Sequence, residues 1–271
     1  MVTVAIGYDG SDPSKLALHW AAEYAAASGA ALRIVHAWIW PLFTQDLGPV
    51  KGVEGSGLRH AAEMILSEGA GLAREIAPDL EIHPRMIAGL PPEVLRREAI
   101  DADLLVVGNR GLGGFLGKLL GSVSAELAGS CPCPIVVVRA RRSEGKPVVA
   151  CVDGRLRSSK VLEQPVQMAR ALQGKLRIVH VDPPKPLRGR HVPSKFHGAD
   201  VLRNAMLTVR EFDPDLAATE DLISDESVAD ALVEAGEEAE LLVLGAHGRE
   251  GHPGTAATVL TRAPCNVMIA R

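Results

Sequence analysis

At 271 residues, with 47% hydrophobic and 23% charged side chains, the chain has the makeup of a folded protein of one large or two ordinary domains, which sets disorder aside. A formal net charge of −4 gives no electrostatic reason to bind nucleic acid or an anionic membrane, and no apolar run approaches the ~20 residues of a membrane-spanning helix. The opening Met1-Val-Thr-Val-Ala-Ile-Gly7 lacks the basic segment and cleavage site of a secretory signal, so the expected location is the cytoplasm.

Residues 3–8 are a short, continuous apolar run, the pattern of a strand buried on both faces. It ends in Tyr8-Asp9-Gly10-Ser11-Asp12-Pro13, where Gly10 permits a tight turn, Ser11 or Asp12 can cap a helix, and Pro13 suits its first position. Residues 14–28 have helical spacing, rich in alanine with Leu16, Leu18, Trp20 and Ala21. A second buried run, 32–38, leads into a long loop over about 39–54 that holds Trp38, Trp40 and Phe43; loops of this length are usually functional or mobile. The second helix follows it. The run 104–107 is followed by Gly108-Asn-Arg-Gly111, nine residues, and Gly121-Ser122-Val123-Ser124, which opens the last helix before the run 135–138.

The whole series then begins again. Val4-Ala-Ile-Gly-Tyr-Asp9-Gly10 recurs as Val148-Val-Ala-Cys-Val-Asp153-Gly154, and Leu32-Arg-Ile-Val-His36 recurs letter for letter as Leu176-Arg-Ile-Val-His180. Residue 153 stands against residue 9 and residue 180 against residue 36, an offset of 144 in both. Asp103-Leu-Leu-Val-Val-Gly108 matches Glu240-Leu-Leu-Val-Leu-Gly245, and the halves close on Ile135–Val138 and Val267–Ala270. A period this long is a domain duplication rather than a solenoid. The expected domains are 1–140 and 147–271, joined by the charged segment Ala140–Pro147. Alternation of strand and helix in each predicts an α/β fold, two tandem doubly wound parallel sheets with helices on both sides.

Asp9 falls at the carboxyl end of a strand, where parallel sheets bind their ligands, and so is placed to hold ribose hydroxyls; turn chemistry alone is the other reading. The glycines at 108, 111 and 121 let main-chain N–H groups approach an anion without Cβ interference, and Ser122 adds a hydroxyl at a helix N-terminus. Neither familiar phosphate signature fits. Gly117-Lys118 is followed by Leu119 and preceded, five positions back, by Leu112, which rules out a Walker A loop; Leu116 stands where the Rossmann pattern needs its third glycine.

Gly108-x2-Gly111-x9-Gly121-Ser122, with Asp9 after the first strand and His36-Ala37 at the end of the second, resembles the ATP-binding pattern of the universal stress protein family, and the resemblance extends over nearly the whole chain as two copies. It implies five-stranded parallel sheets in order 3-2-1-4-5, with Asp9 and Gly108 sharing the crevice at the switch point. It implies ATP held by Asp9, Ala37, Val107, Gly108, Gly111, Gly121, Ser122 and Val123, with Mg2+ as an accompanying ion and AMP or a cyclic nucleotide as alternatives. The function implied is a stress-response regulator working through nucleotide-dependent conformation or association, with a homodimer as the expected assembly. Slow ATP hydrolysis and a pure interaction or dimerisation role are the alternatives. No catalytic set is evident: a base paired with metal-binding carboxylates is missing.

The second copy keeps Asp153, His180-Val181, Gly245, Gly248, Gly254 and Thr255, but its spacer before Gly254 has five residues instead of nine and includes Pro253, which lacks a donor. Nucleotide binding there stands against a pseudo-site or a dimerisation interface, and His247 and His252 are either phosphate contacts or surface residues. Seven of the nine aromatic residues precede residue 116, so no stacking stripe for single-stranded nucleic acid accompanies the basic run Lys185–His191. Cys131-Pro-Cys133, the one close pair among four cysteines, reads as structural thiols, with a redox pair as the alternative.

Overall fold

The computed structural model describes residues 2–38, 58–111, 120–154, 160–182, 198–245 and 254–271. The chain divides into two compact units, the first ending at Arg141 and the second starting at Arg142. In the first, β1 (Thr3–Gly7), α1 (Asp12–Ser28), β2 (Ala31–Trp38), α2 (Leu58–Ile76), β3 (Ile82–Ala88), α3 (Pro91–Glu98), β4 (Leu104–Gly108), α4 (Ser122–Ser130) and β5 (Ile135–Val138) alternate strictly. The strands pair in parallel in the order β3-β2-β1-β4-β5. The order reverses at β1, so the ends of β1 and β4 adjoin, with Val4 opposite Leu104 and Ile6 opposite Val106.

The continuous apolar runs are the fully buried strands: every residue of β4 and β5 is buried. Strand β3 is different. Its residues are largely exposed, as expected of a strand paired on one side only, and it accommodates Pro84, which an interior strand would not. Helix α1 starts where the sequence indicates: Ser11 is the N-cap, accepting the Ser14 N–H, with Pro13 in the second helical position rather than the first. Gly29 ends it in the left-handed conformation (φ 67°). Its alanines let the backbone lie close to the sheet, while Trp20 and Tyr24 stack one turn apart with ring centroids 5.3 Å apart.

The second unit repeats the plan with β6 (Val148–Cys151), α5 (Lys160–Ala171), β7 (Leu176–Asp182), α6 (Gly198–Phe212), β8 (Ala218–Ser224), α7 (Val228–Ala235), β9 (Leu241–Gly245), α8 (Thr255–Arg262) and β10 (Asn266–Ala270). Its parallel order is β8-β7-β6-β9-β10, the same switch. The segment read as a linker is part of this unit's packing. The Arg142 guanidinium donates to Leu172 O at 3.0 Å, the Ser143 N–H to a carboxylate oxygen of the buried Glu240, and Lys146 Nζ to Glu237 O at 2.8 Å. Asp103 plays the matching part in the first unit, accepting the Thr3 N–H at 2.7 Å. In each copy the acidic residue leading into the fourth strand anchors the chain as it enters the first.

Candidate functional site

The crevice above β1 and β4 is built from short-range contacts. Asp9 leaves β1 with Oδ1 accepting both the N–H of Ser11 (3.0 Å) and its hydroxyl (2.5 Å). Its own N–H donates to Ser14 Oγ at 3.3 Å, and that hydroxyl donates in turn to Ser11 O at 2.9 Å. The turn chemistry and the crevice position therefore coexist, because Oδ1 serves the cap while Oδ2 faces the glycine loop. A Cβ built on Gly111 would lie 2.7 Å from Asp9 Oδ2, and one on Gly108 would lie 2.7 Å from Pro13 O. Glycine at 108 lets β4 close on the first turn of α1; glycine at 111 lets the loop close on the carboxylate.

Gly121 is the N-cap of α4 and, among the described residues, no side-chain hydrogen bond caps that helix, so the N–H groups of its first turn, those of Ser122 and Val123 included, have no partner within the helix. The glycine itself packs closely against the preceding loop. Its N–H donates to Asn109 O at 2.8 Å, and a Cβ there would lie 3.2 Å from both Asn109 O and Arg110 Cα. Position 121 thus serves close packing of the loop. Ser124, which the sequence reasoning passed over, fixes this geometry: its buried hydroxyl donates to Gly108 O at 2.6 Å, tying α4 to the end of β4. No spacing rule marks it out.

On the other side, Ala37 lies near the end of β2, one residue past His36, whose ring nitrogen Nδ1 is 2.8 Å from Tyr8 O. Val107 is buried in β4, so its side chain is part of the core. Tyr8 also reaches outward from the sheet: its hydroxyl donates to Glu68 of α2 at 3.1 Å, and Glu68 pairs with Lys15 of α1 at 2.7 Å. Burial and then the hydrogen bond to Glu68 push the Tyr8 hydroxyl far above its ordinary pKa, so it remains a donor. The Lys15 contact, ahead of the Tyr8 bond, holds Glu68 below the usual carboxylate value.

The second copy reproduces part of this. Asp153 follows β6 and is exposed, Gly154 takes φ 71° where Gly10 takes 80°, and Val181 is buried in β7. Gly254 is the N-cap of α8, Thr255 opens that helix, and a Cβ on Gly245 would meet nothing within 4 Å among the described residues. Gly248, His247, His252, Pro253 and the five-residue spacer lie outside the described residues, as do Trp40, Phe43, the nine-residue spacer apart from Leu120, and the Lys185–His191 run. Cys131 and Cys133 are buried thiols with sulfurs 3.7 Å apart, and no group of three or more His, Cys, Asp or Glu among the described residues could hold a metal. A hollow between α2 and β3 is lined by Glu63, Leu66, Ser67, Arg74, Pro84 and Met86.

Both units match the model of the universal stress protein family, at residues 1–139 and 145–271. The chain belongs to the universal stress protein family. A universal stress protein of Mycolicibacterium smegmatis is 37% identical over 138 residues, 51% of this chain and 46% of its own length. The chain spans about half the length of such curated relatives. The crystal structure of a universal stress protein from Archaeoglobus fulgidus superposes with a TM-score of 0.76 at 18% identity, covering 99% of this chain and 98% of the other, which shows the tandem fold. A universal stress protein solved in complex with cAMP is 34% identical, covering 51% of this chain and 96% of its own, with a TM-score of 0.39. Among the described residues no helix is long and apolar enough to cross a membrane.

Proposed function

We propose that the N-terminal repeat binds ATP in the crevice above β1 and β4 and that the bound nucleotide regulates conformation or association in a stress response. Asp9 takes the ribose hydroxyls, the main chain at Ala37 takes adenine, and the Gly108–Gly111 turn with the α4 N-terminus at Ser122 and Val123 takes the phosphates. The observation that carries this reading is the approach of Asp9 Oδ2 to Gly111, 2.7 Å from where a Cβ would stand, with Gly121 at the α4 N-terminus packed against Asn109 and Arg110 of the same loop. A ribose needs the carboxylate and a polyphosphate the helix N-terminus. Mg2+ would accompany the phosphates and offset their charge. The second repeat keeps the aspartate and the helix-opening Gly254-Thr255 but has a shorter spacer, so we assign it the weaker site.

Titration calorimetry of the full chain with ATP, AMP and cyclic AMP, with and without Mg2+, tests the assignment. A saturable heat with ATP, reduced at least about tenfold in affinity by Asp9→Ala (~1.4 kcal/mol), supports it. Absence of heat with all three nucleotides at millimolar concentration overturns it. The same reading takes a cytoplasmic homodimer as the working form, and light scattering with and without ATP follows the association.

A further inference from the structure

Strand β2 carries the same anomaly as its copy β7. In a parallel ladder, alternate residues of a strand direct their main-chain groups to opposite neighbours. Tyr8 N–H donates to Val35 O at 2.9 Å, so Val35 and Ala37 face β1; Gly89 N–H donates to Trp38 O at 3.0 Å, so Trp38 faces β3. The next rung of a regular β1·β2 ladder would run from Ala37 N–H to Tyr8 O. The His36 ring takes that carbonyl instead, with Nδ1 at 2.8 Å, and the strand register ends one step earlier, at Gly7 opposite Val35. A carbonyl oxygen can only accept, so Nδ1 carries the hydrogen.

The second copy does the same with different neighbours. His180 Nδ1 lies 2.7 Å from Val152 O, Val152 N–H donates to Val179 O at 2.9 Å, and the register ends at Cys151 opposite Val179. Tyr8 has become Val152, yet the histidine and its bond persist. A histidine imidazole is an elaborate way to satisfy a carbonyl that the neighbouring strand could satisfy unaided.

We infer that His36 is a positioning residue: by occupying Tyr8 O it releases the Ala37 N–H and carbonyl from the sheet and directs them into the crevice, where they read the Watson–Crick edge of adenine. This rests on the nucleotide reading of the site and specifies how the base is selected. Adenine presents an acceptor ring nitrogen beside a donor amino group, which an adjacent main-chain N–H and carbonyl complement; guanine presents the opposite pattern at those positions. The histidine also holds the ends of β1 and β2 together, which sets the spacing between Asp9 and Ala37. His180 gives Val181 the same release in the second copy.

The test uses the full chain and two readouts. Amide hydrogen exchange followed by NMR should find Ala37 exchanging at least about tenfold faster than the ladder amides of β2 in the nucleotide-free protein, and slowed when ATP is added. In His36→Leu, Ala37 should close onto Tyr8 O and become protected, with ATP affinity lower by about fivefold or more and the preference for ATP over GTP reduced. His36→Asn places an amide N–H near the Nδ1 position and should restore both. Protection of Ala37 in the nucleotide-free wild type equal to that of its β2 neighbours overturns the inference, as does unchanged ATP affinity in a folded His36→Leu. Fast exchange at Ala37 in a wild type that binds no nucleotide would uphold the released rung and remove the ligand assigned to it.

Discussion

Replacing Gly108 by alanine adds a Cβ that would lie 2.7 Å from the carbonyl oxygen and 2.8 Å from the carbonyl carbon of Pro13. Neither atom belongs to a side chain that can turn aside; both are backbone in the first turn of α1, held by the Ser11 cap. Relief requires β4 and α1 to separate, and overpacking of this kind costs about 1–3 kcal/mol. Gly111→Ala makes a useful partner. Its Cβ would meet Asp9 Oδ2, also at 2.7 Å, with no other described contact closer than the 3.8 Å to Cγ of the same side chain. A carboxylate can rotate, so the stability change should be within about 0.5 kcal/mol. The displaced oxygen is the one assigned to ribose, so nucleotide affinity should fall about tenfold or more. All three tryptophans, at 20, 38 and 40, lie in the first copy, so urea unfolding followed by tryptophan fluorescence reports on that copy alone. Equal destabilisation by the two substitutions, or a neutral Gly108→Ala, would refute the reasoning from close approach.

Three further outcomes follow from the same contacts. Glu68 is held below its ordinary value of 4.5 chiefly by Lys15, so its contribution is present above that pH and lost as the pH falls through the lower folded value; the gap in urea midpoint between wild type and Glu68→Gln should close on acidification below about pH 4.5. The side chain is 44% exposed, which keeps the effect small. Glu240→Ala removes the acceptor of the Ser143 N–H and the carboxylate beside Arg142, and should destabilise the second unit by about 1–3 kcal/mol and speed tryptic cleavage at Arg141 and Arg142 in the full chain. The mutual contact of Cys131 and Cys133, then burial, raises the Cys133 thiol well above its normal pKa, so both should resist a disulfide reagent in the native protein and react readily in urea.

Four of the five strands of the first copy were legible as continuous apolar runs because they are buried on both faces, and the repeat extended that reading to the second copy. Strands β3 and β8 were not. Ile82–Ala88 contains His83, Pro84 and Arg85, and Ala218–Ser224 contains Glu220 and Asp221; each strand has one neighbour within its unit and leaves much of its surface to water, so neither carries an apolar signature. The glycine motif was legible as a set, but the separate task of each glycine was not. That Gly108 meets Pro13, Gly111 meets Asp9, and Gly121 meets Asn109 depends on how α1, β4 and α4 converge. The Tyr8–Glu68–Lys15 contact was hidden for the same reason, since it joins β1, α1 and a helix some 60 positions away. His36 and His180 were visible as identical letters, whereas the rung they take over appears only in the register of the strands.

Native mass spectrometry of the intact chain titrated with ATP is the most direct measurement. The account predicts a mass increase of one nucleotide at low concentration, abolished by Gly111→Val, with a second appearing only at higher concentration and persisting in that variant. A spectrum with no adduct from ATP, AMP or cyclic AMP at millimolar concentration, or with adducts indifferent to Gly111→Val, would contradict it.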